Sequence, residues 1–255
     1  MYRQISTIAA FTLLEAMRNR LLWLLAIFSL CGILGAAFFH ALAITENNQV
    51  QLALLAALLR VGAVFLLATF VVTSVTRELH DKVLELTLAL ALPRAAWVMG
   101  RLCGFWLLSL LFSTVFGAIC LLYANPLQVL QWSFSLCWEL CIVAAFALLT
   151  ALSLSQVASA LAAVLAFYLL TRSIGALQLM GQGPLAGMQD SQIYLARLLD
   201  LIAWFLPDLD RFTRAEWLLY QAPGWGGMLP LLLQTLIWLA LLGCAALFDL
   251  YRKQL

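Results

Sequence analysis

Six long apolar stretches recur along this 255-residue chain. A helix that crosses a bilayer needs about 20 mostly apolar residues, and each stretch is close to or above that length. Only 10% of the residues are charged, whereas soluble domains carry about 25%. A water-soluble globule is therefore excluded, and the sequence predicts an all-α polytopic membrane protein. The six predicted spans are Leu21–Ile44, Leu52–Thr76, Ala96–Tyr123, Trp132–Leu152, Val157–Gly175 and Met228–Leu250.

Two further segments have an amphipathic pattern. Residues 1–20 place polar side chains on one side of a helix and apolar ones on the other, with Phe11 and Leu14 as exceptions. We expect this helix to lie in the headgroup layer. In the outer segment 176–227, apolar residues recur helically between Gln189 and Leu206, which predicts a helix against or within the outer leaflet. No repeat and no linker divides the chain, so 1–255 is predicted to form a single transmembrane domain.

The distribution of basic residues predicts the orientation. Nine lysines and arginines fall on one predicted side, in residues 1–20, in 77–101 and at the C-terminus, against three in 176–227 on the other side. By the positive-inside bias, both termini are expected in the cytoplasm. The net charge of +2 is small and dispersed, which argues against a nucleic-acid partner.

The cysteine pattern does not predict a metal site. The six cysteines lie in or beside apolar runs without Cys-x-x-Cys spacing, so we interpret them as buried thiols. Cys137 and Cys141 share a helical face at i, i+4, but no histidine or second cysteine pair lies near them in sequence. Plain helix packing is favoured over a soft-metal site there.

Residues 77–95 form the most informative polar stretch. Ionisable groups cluster before Pro93, an apolar run follows that is too short to span a membrane, and Pro93 is expected to end its helix. One interpretation is a charged hairpin between two spans. The other is a short cytoplasmic helix presented for docking, for which the candidate residues are Arg77, Glu78, Asp81, Lys82, Glu85, Leu86, Pro93 and Arg94.

Several of these features together resemble the ABC type-2 permease family. They are the amphipathic N-terminal helix, Arg77-Glu78 at the end of the second span, Leu-Ala-Leu-Pro93-Arg94, Gly100-Arg101-Leu-Cys-Gly104 and the outer stretch Phe205-Leu-Pro-Asp-Leu-Asp-Arg-Phe212. Arg101 stands where lysine is common in the family. The loop Ser153–Gln156 is short for the second docking contact that the resemblance implies. The likeness covers essentially the whole chain.

The resemblance implies a six-span subunit that dimerises, as a homodimer or with a paralogue, and couples through residues 77–95 to a cytoplasmic nucleotide-binding ATPase. The chain has no Gly-x-x-x-x-Gly-Lys-Ser/Thr motif, and its only lysines are Lys82 and Lys253. We therefore expect no cofactor on this chain, and ATP and Mg²⁺ on the partner subunit. The expected location is the bacterial inner membrane.

Three ionisable residues lie inside the predicted spans, namely Arg60, Glu139 and Arg172. Charges at bilayer depth are costly and are usually paired or functional. A structural role is favoured, in which the arginines snorkel and Glu139 is protonated or bonded to a neighbouring helix. Counting from the outer helix ends predicts that Glu139 pairs with Arg60, with Arg172 as the other possible partner.

The sequence is compatible with three functions. The first is a permease that exports or flips a substrate, and the second is a membrane scaffold or assembly subunit that moves no solute. The third is an intramembrane enzyme using Glu139 beside Ser133 or Ser135, which is the weakest because the chain has no His-Glu-x-x-His and no Gly-x-Ser-x-Gly motif. No catalytic residue is therefore assigned.

Overall fold

The chain folds into a bundle of long helices joined by short turns. The computed structural model describes residues 2–42, 47–81, 93–181, 201–203, 206–220 and 223–252. We number the helices along the chain as α1 (Tyr2–Arg18), α2 (Leu21–Leu42), α3 (Asn47–His80), α4 (Arg94–Cys120), α5 (Pro126–Leu154), α6 (Val157–Gly181), α7 (Glu216–Leu219) and α8 (Gly224–Arg252), with a 3₁₀ turn at Leu209–Arg211. These described ranges contain no β-strand.

Six of these helices, α2 to α6 and α8, are long and apolar enough to cross a membrane. The predicted all-α, six-span architecture is therefore confirmed. The helices run past the predicted spans at several ends. α3 continues through Arg77 and Glu78 to His80, and α5 begins at Pro126, where a proline suits the first helical position because that N–H has no intrahelical partner.

Helix α5 forms the centre of the bundle. Within its spanning window 83% of the residues are buried, against 28% for each of α2, α6 and α8. Trp132 of α5 is fully buried, as are Phe105, Phe112 and Phe116 of α4. The exposed faces of α2, α6 and α8 are lined by leucine, isoleucine and phenylalanine, which is the expected surface for contact with lipid tails.

Polar contacts bring several helix ends together at what we call the basic end of the bundle. Helix α5 stops at Leu154, and Ser155 takes a left-handed conformation (φ 51°) that reverses the chain into α6. A ring nitrogen of His80, at the end of α3, lies 3.1 Å from the carbonyl oxygen of Ser155. Arg94, at the start of α4, donates to the Leu250 carbonyl of α8 at 3.0 Å. The ends of α3, α5 and α8 and the start of α4 therefore share one end.

Candidate functional site

The predicted docking segment is described only at its two edges. Arg77 and Glu78 lie in the last turn of α3, and Asp81 follows it with its N–H bonded to the Arg77 carbonyl. Lys82, Glu85 and Leu86 lie outside the described residues. Pro93 precedes the first turn of α4 and accepts a hydrogen bond from the Ala96 N–H, so the chain enters α4 as the proline predicts. The docking role itself stays a prediction.

A buried ionic cluster connects Glu78 at the first edge with Arg101, which lies beyond the second edge. The side chain of Arg101 in α4 is 1% exposed and forms ion pairs with Glu15 of α1, at 2.9 Å, and with Glu78 of α3. Arg101 also donates to the Thr12 hydroxyl at 3.1 Å. The Ser74 hydroxyl of α3 donates to the second oxygen of Glu15 at 2.7 Å. We call Glu15, Ser74, Glu78 and Arg101 the inner ion cluster.

Small residues in α4 make the inner ion cluster possible. A Cβ added at Gly100 would lie 2.7 Å from Cβ of Ile8, and one at Gly104 would lie 2.6 Å from Cβ of Thr12. Only glycine permits this approach of α1 to α4, which resembles the close packing of small residues spaced four apart in membrane helices. Helix α1 accordingly buries its Ala9, Thr12 and Ala16 side, and Phe11 and Leu14 are exposed.

Gly100, Arg101 and Gly104 belong to the stretch that resembles the permease family, but their spacing does not predict the inner ion cluster. The available signal was a charge seven residues inside α4, since a cation at that position needs a partner. Glu15 lies on the polar side that the sequence predicts for the helix at residues 1–20. The pairing could not be foreseen because it depends on which helix packs against α4.

Additional contacts at the basic end connect neighbouring helices. Arg94 lies over the Tyr251 ring, with 5.6 Å between its guanidinium carbon and the ring centroid. The Ser153 hydroxyl at the end of α5 donates to the Asp249 carboxylate of α8 at 2.9 Å. Together with His80 and Ser155, these contacts connect α3, α4, α5 and α8 around the place where residues 77–95 leave and re-enter the bundle.

A second polar cluster lies at the end of the bundle opposite the basic end. It contacts residues 206–220, which we call the plug segment, and we call it the plug cluster. Each polar group of Thr213 in that segment is bonded. Its hydroxyl donates to Glu139 at 2.5 Å, its N–H donates to the Ser135 hydroxyl at 3.0 Å, and its carbonyl accepts from Arg60 at 3.1 Å. Thr213 has a φ of 45°, which is unusual for a β-branched residue, so these bonds hold a strained backbone in place.

Arg172 completes this plug cluster from α6. It donates to the carbonyls of Leu209 and Phe212 at 2.7 and 2.8 Å. Its Nη1 lies 3.8 Å from Glu139, and its Nε lies 3.8 Å from Asp210. Glu139 is fully buried, with one carboxyl oxygen accepting from the Thr213 hydroxyl and the other lying 3.8 Å from Arg172. Three spans, α3, α5 and α6, therefore hold the plug segment.

The predicted pairing of Glu139 with Arg60 is wrong, because the ion-pair partner is Arg172, the second choice. All three residues lie at one site, as their depths along the helices predict. The partner was misassigned because the Arg60 guanidinium instead bonds a backbone carbonyl of the plug segment, a group that no depth count can locate. Within the plug segment, Thr213 and Asp210 make contacts that the sequence does not predict, although Asp210 lies in the outer stretch that resembles the permease family.

The predicted amphipathic stretch Gln189–Leu206 falls mainly outside the described residues. Leu195, Leu198 and Leu199 are not described, and Leu201 and Ile202 are exposed. Its contact with the outer leaflet stays a prediction.

A lateral apolar cavity of about 1050 Å³ lies between α4, α5 and α8. Cys103, Cys137, Cys141 and Cys244 are among its lining residues, together with Trp106 and Trp138. Its one lining hydroxyl, on Thr235, donates to the Leu231 carbonyl of its own helix. Among the described residues, no three histidine, cysteine or acidic side chains are grouped to hold a metal ion.

The chain was also compared with known proteins. A scan against models of protein families and a search of curated proteins found no match.

Proposed function

We propose that this chain is the membrane-spanning permease subunit of an ABC transporter of the type-2 class. It would export a substrate across the bacterial inner membrane, using ATP hydrolysed by a separate cytoplasmic subunit that docks at residues 77–95. A second permease copy, identical or paralogous, would complete the pathway. In this proposal the basic end faces the cytoplasm.

The inner ion cluster is the observation that carries the proposal. A docking segment can drive a membrane domain only if its two edges are rigidly connected to the spans. Glu78 at one edge and Arg101 just beyond the other are paired directly, and Glu15 extends the connection to α1. A displacement of residues 77–95 would therefore move α1, α3 and α4 together.

The other basic-end contacts support the same proposal. Because Arg94 bonds the end of α8 and His80 lies against Ser155, movement of the docking segment would also reach α8 and the turn between α5 and α6. Rigid contacts of this kind are what a two-state transporter needs to transmit a motion from one end to the other.

The contacts of the plug cluster favour a role in closing a substrate path over a role in catalysis. Glu139 and Ser135 both bond Thr213, and Glu139 has no exposed surface, so neither group faces a space that a substrate could occupy. This arrangement gives no support to the intramembrane enzyme alternative. A plug held by side-chain bonds from three spans could be released when those spans move apart.

Photo-crosslinking in native membranes tests the docking site. A photoreactive residue at Leu86 should crosslink to a protein that is itself labelled by a photoreactive ATP analogue. The same residue at Leu154, an exposed position at the basic end, is the matched control and should not. An ATP-binding partner captured equally at both positions, or at neither, contradicts the docking proposal.

A functional assay separates the permease from a scaffold. The chain purified with its partner should support vanadate-sensitive ATP hydrolysis, and Glu85→Pro or Leu86→Asp should lower the stimulated turnover without preventing assembly. Normal stimulated turnover in these variants contradicts coupling through this segment. Stimulated ATP hydrolysis without vanadate-sensitive transport of any substrate assigns the chain to the scaffold class.

A further inference from the structure

A small cavity at the basic end is not explained by the proposed transport function. It has a volume of about 410 Å³ and is lined by Phe11, Leu14, Glu15, Arg18, Asn19 and Arg77. The cavity lies where the end of α1 meets the last turn of α3, beside the inner ion cluster.

The charge of the cavity is positive. Arg18 and Arg77 are exposed, and neither forms an ion pair with any residue in the described part of the chain. Glu15, its one lining acid, is already bonded to Arg101 and to the Ser74 hydroxyl. Two guanidinium groups with unused donors are therefore left facing the same opening.

The surroundings of the cavity place it at a headgroup level. Arg18 ends α1 only three residues before α2 begins at Leu21, and Arg77 lies in the last turn of the α3 span. Phe11 and Leu14, on the exposed side of α1, are 59% and 58% exposed. The polar cavity thus adjoins an exposed apolar surface. This combination matches the boundary between the headgroups and the acyl chains of a bilayer.

We propose that this cavity binds the phosphate of an anionic phospholipid, with Arg18 and Arg77 on the headgroup and Phe11 and Leu14 against its acyl chains. Guanidinium groups suit phosphate because they present paired N–H donors to two oxygens at once. Basic pockets between membrane helices on the cytoplasmic side are sites where anionic lipids bind. The adjoining apolar side chains distinguish a lipid from free phosphate, which would leave them uncovered.

Lipid binding can be measured on the chain alone, so the result is independent of any ATPase partner. The protein in mild detergent is titrated with phosphatidylglycerol or with phosphatidylcholine of identical acyl chains, and bound lipids are counted by native mass spectrometry. Wild type should prefer phosphatidylglycerol. Each basic side chain near anionic lipid contributes about a fivefold factor, so Arg18→Gln with Arg77→Gln should weaken phosphatidylglycerol binding about 25-fold.

Two controls address folding and charge. Arg3→Gln with Arg252→Gln removes the same charge from two exposed arginines outside the cavity and should leave binding near that of wild type. Arg18→Lys with Arg77→Lys keeps the charge but removes the paired donors, and should bind with intermediate affinity. This lysine variant also reports binding if the glutamine variant does not fold.

Three outcomes overturn the proposal. The first is equal binding of phosphatidylglycerol and phosphatidylcholine to wild type. The second is an equal loss in the Arg3 and Arg252 control, which would show attraction by net charge alone. The third is displacement of phosphatidylglycerol by inorganic phosphate at similar concentrations, which would assign the cavity to the free ion.

Discussion

Burying Arg101 has a desolvation cost that its two acidic partners offset. A guanidinium removed from water without a partner is strongly destabilising, whereas a complete buried triad is close to neutral compared with apolar residues. The inner ion cluster is therefore better understood as a device that specifies which helices meet than as a large source of stability.

Removing only Arg101 should show that the stability of the protein depends on complete charge pairing in the inner ion cluster. Arg101→Met leaves Glu15 and Glu78 facing each other without a counter-charge and should destabilise the protein by about 3–5 kcal/mol. The midpoint of detergent-induced unfolding measures the loss. The triple variant Arg101→Met, Glu15→Gln, Glu78→Gln should recover most of it, and a triple variant as unstable as the single one would show that charge pairing is not the cause.

In the plug cluster, Thr213 is the residue that connects several helices, as Arg101 does in the inner ion cluster. Thr213→Val keeps the branched shape but removes the donor to Glu139, and a buried acceptor that loses its partner costs about 1–3 kcal/mol. Thr213→Ser keeps the hydroxyl and serves as the matched control. Equal unfolding midpoints for the valine and serine variants would mean that the 2.5 Å bond contributes nothing.

A double-mutant cycle then separates the two arginines. Glu139→Gln combined with Arg172→Met should show a coupling free energy, since the two groups lie 3.8 Å apart. Glu139→Gln combined with Arg60→Met should be closer to additive, because Arg60 contacts the Thr213 carbonyl. A larger coupling for Arg60 than for Arg172 in the unfolding measurement would reverse the assignment.

At the scale of helices, the packing of α1 on α4 depends on the absence of a side chain at two positions. Gly104→Ala places a Cβ within 2.6 Å of Cβ of Thr12, so α1 must shift, at a cost of about 1–3 kcal/mol. Gly35→Ala in α2 meets no atom within 4 Å and should be neutral or slightly stabilising, since alanine favours a helix. Similar unfolding midpoints for the two alanine variants would contradict the close packing of α1 on α4.

For the complete bundle, the proposed orientation, with the basic end in the cytoplasm, predicts which turns are accessible from outside the cell. In a cysteine-free background, Leu122→Cys in the turn between α4 and α5 should react with an impermeant maleimide added to intact cells. Gln156→Cys, in the turn between α5 and α6, should react only after permeabilisation, because α5 separates the two turns by its full length. Both positions are exposed, so the reverse pattern would invert the proposed orientation.

The order of the amino acids alone is sufficient to predict the architecture. Six apolar runs of spanning length dictate six helices because a backbone in lipid must satisfy its own hydrogen bonds, whatever the neighbouring helices are. It also marked Arg60, Glu139 and Arg172 as residues that need partners, because an intramembrane charge is costly in any arrangement.

The partners of these charges depend on helix packing, which the sequence pattern does not reveal. Arg101 pairs with Glu15 and Glu78 because α1 lies close to α4 at Gly100 and Gly104, and Glu139 pairs with Arg172 because Arg60 is taken by the Thr213 carbonyl. Periodicity assigns a residue a depth and a side of its own helix. Which helix lies opposite depends on the packing of surfaces far apart in sequence, and a backbone carbonyl of the plug segment carries no signal in the side-chain pattern.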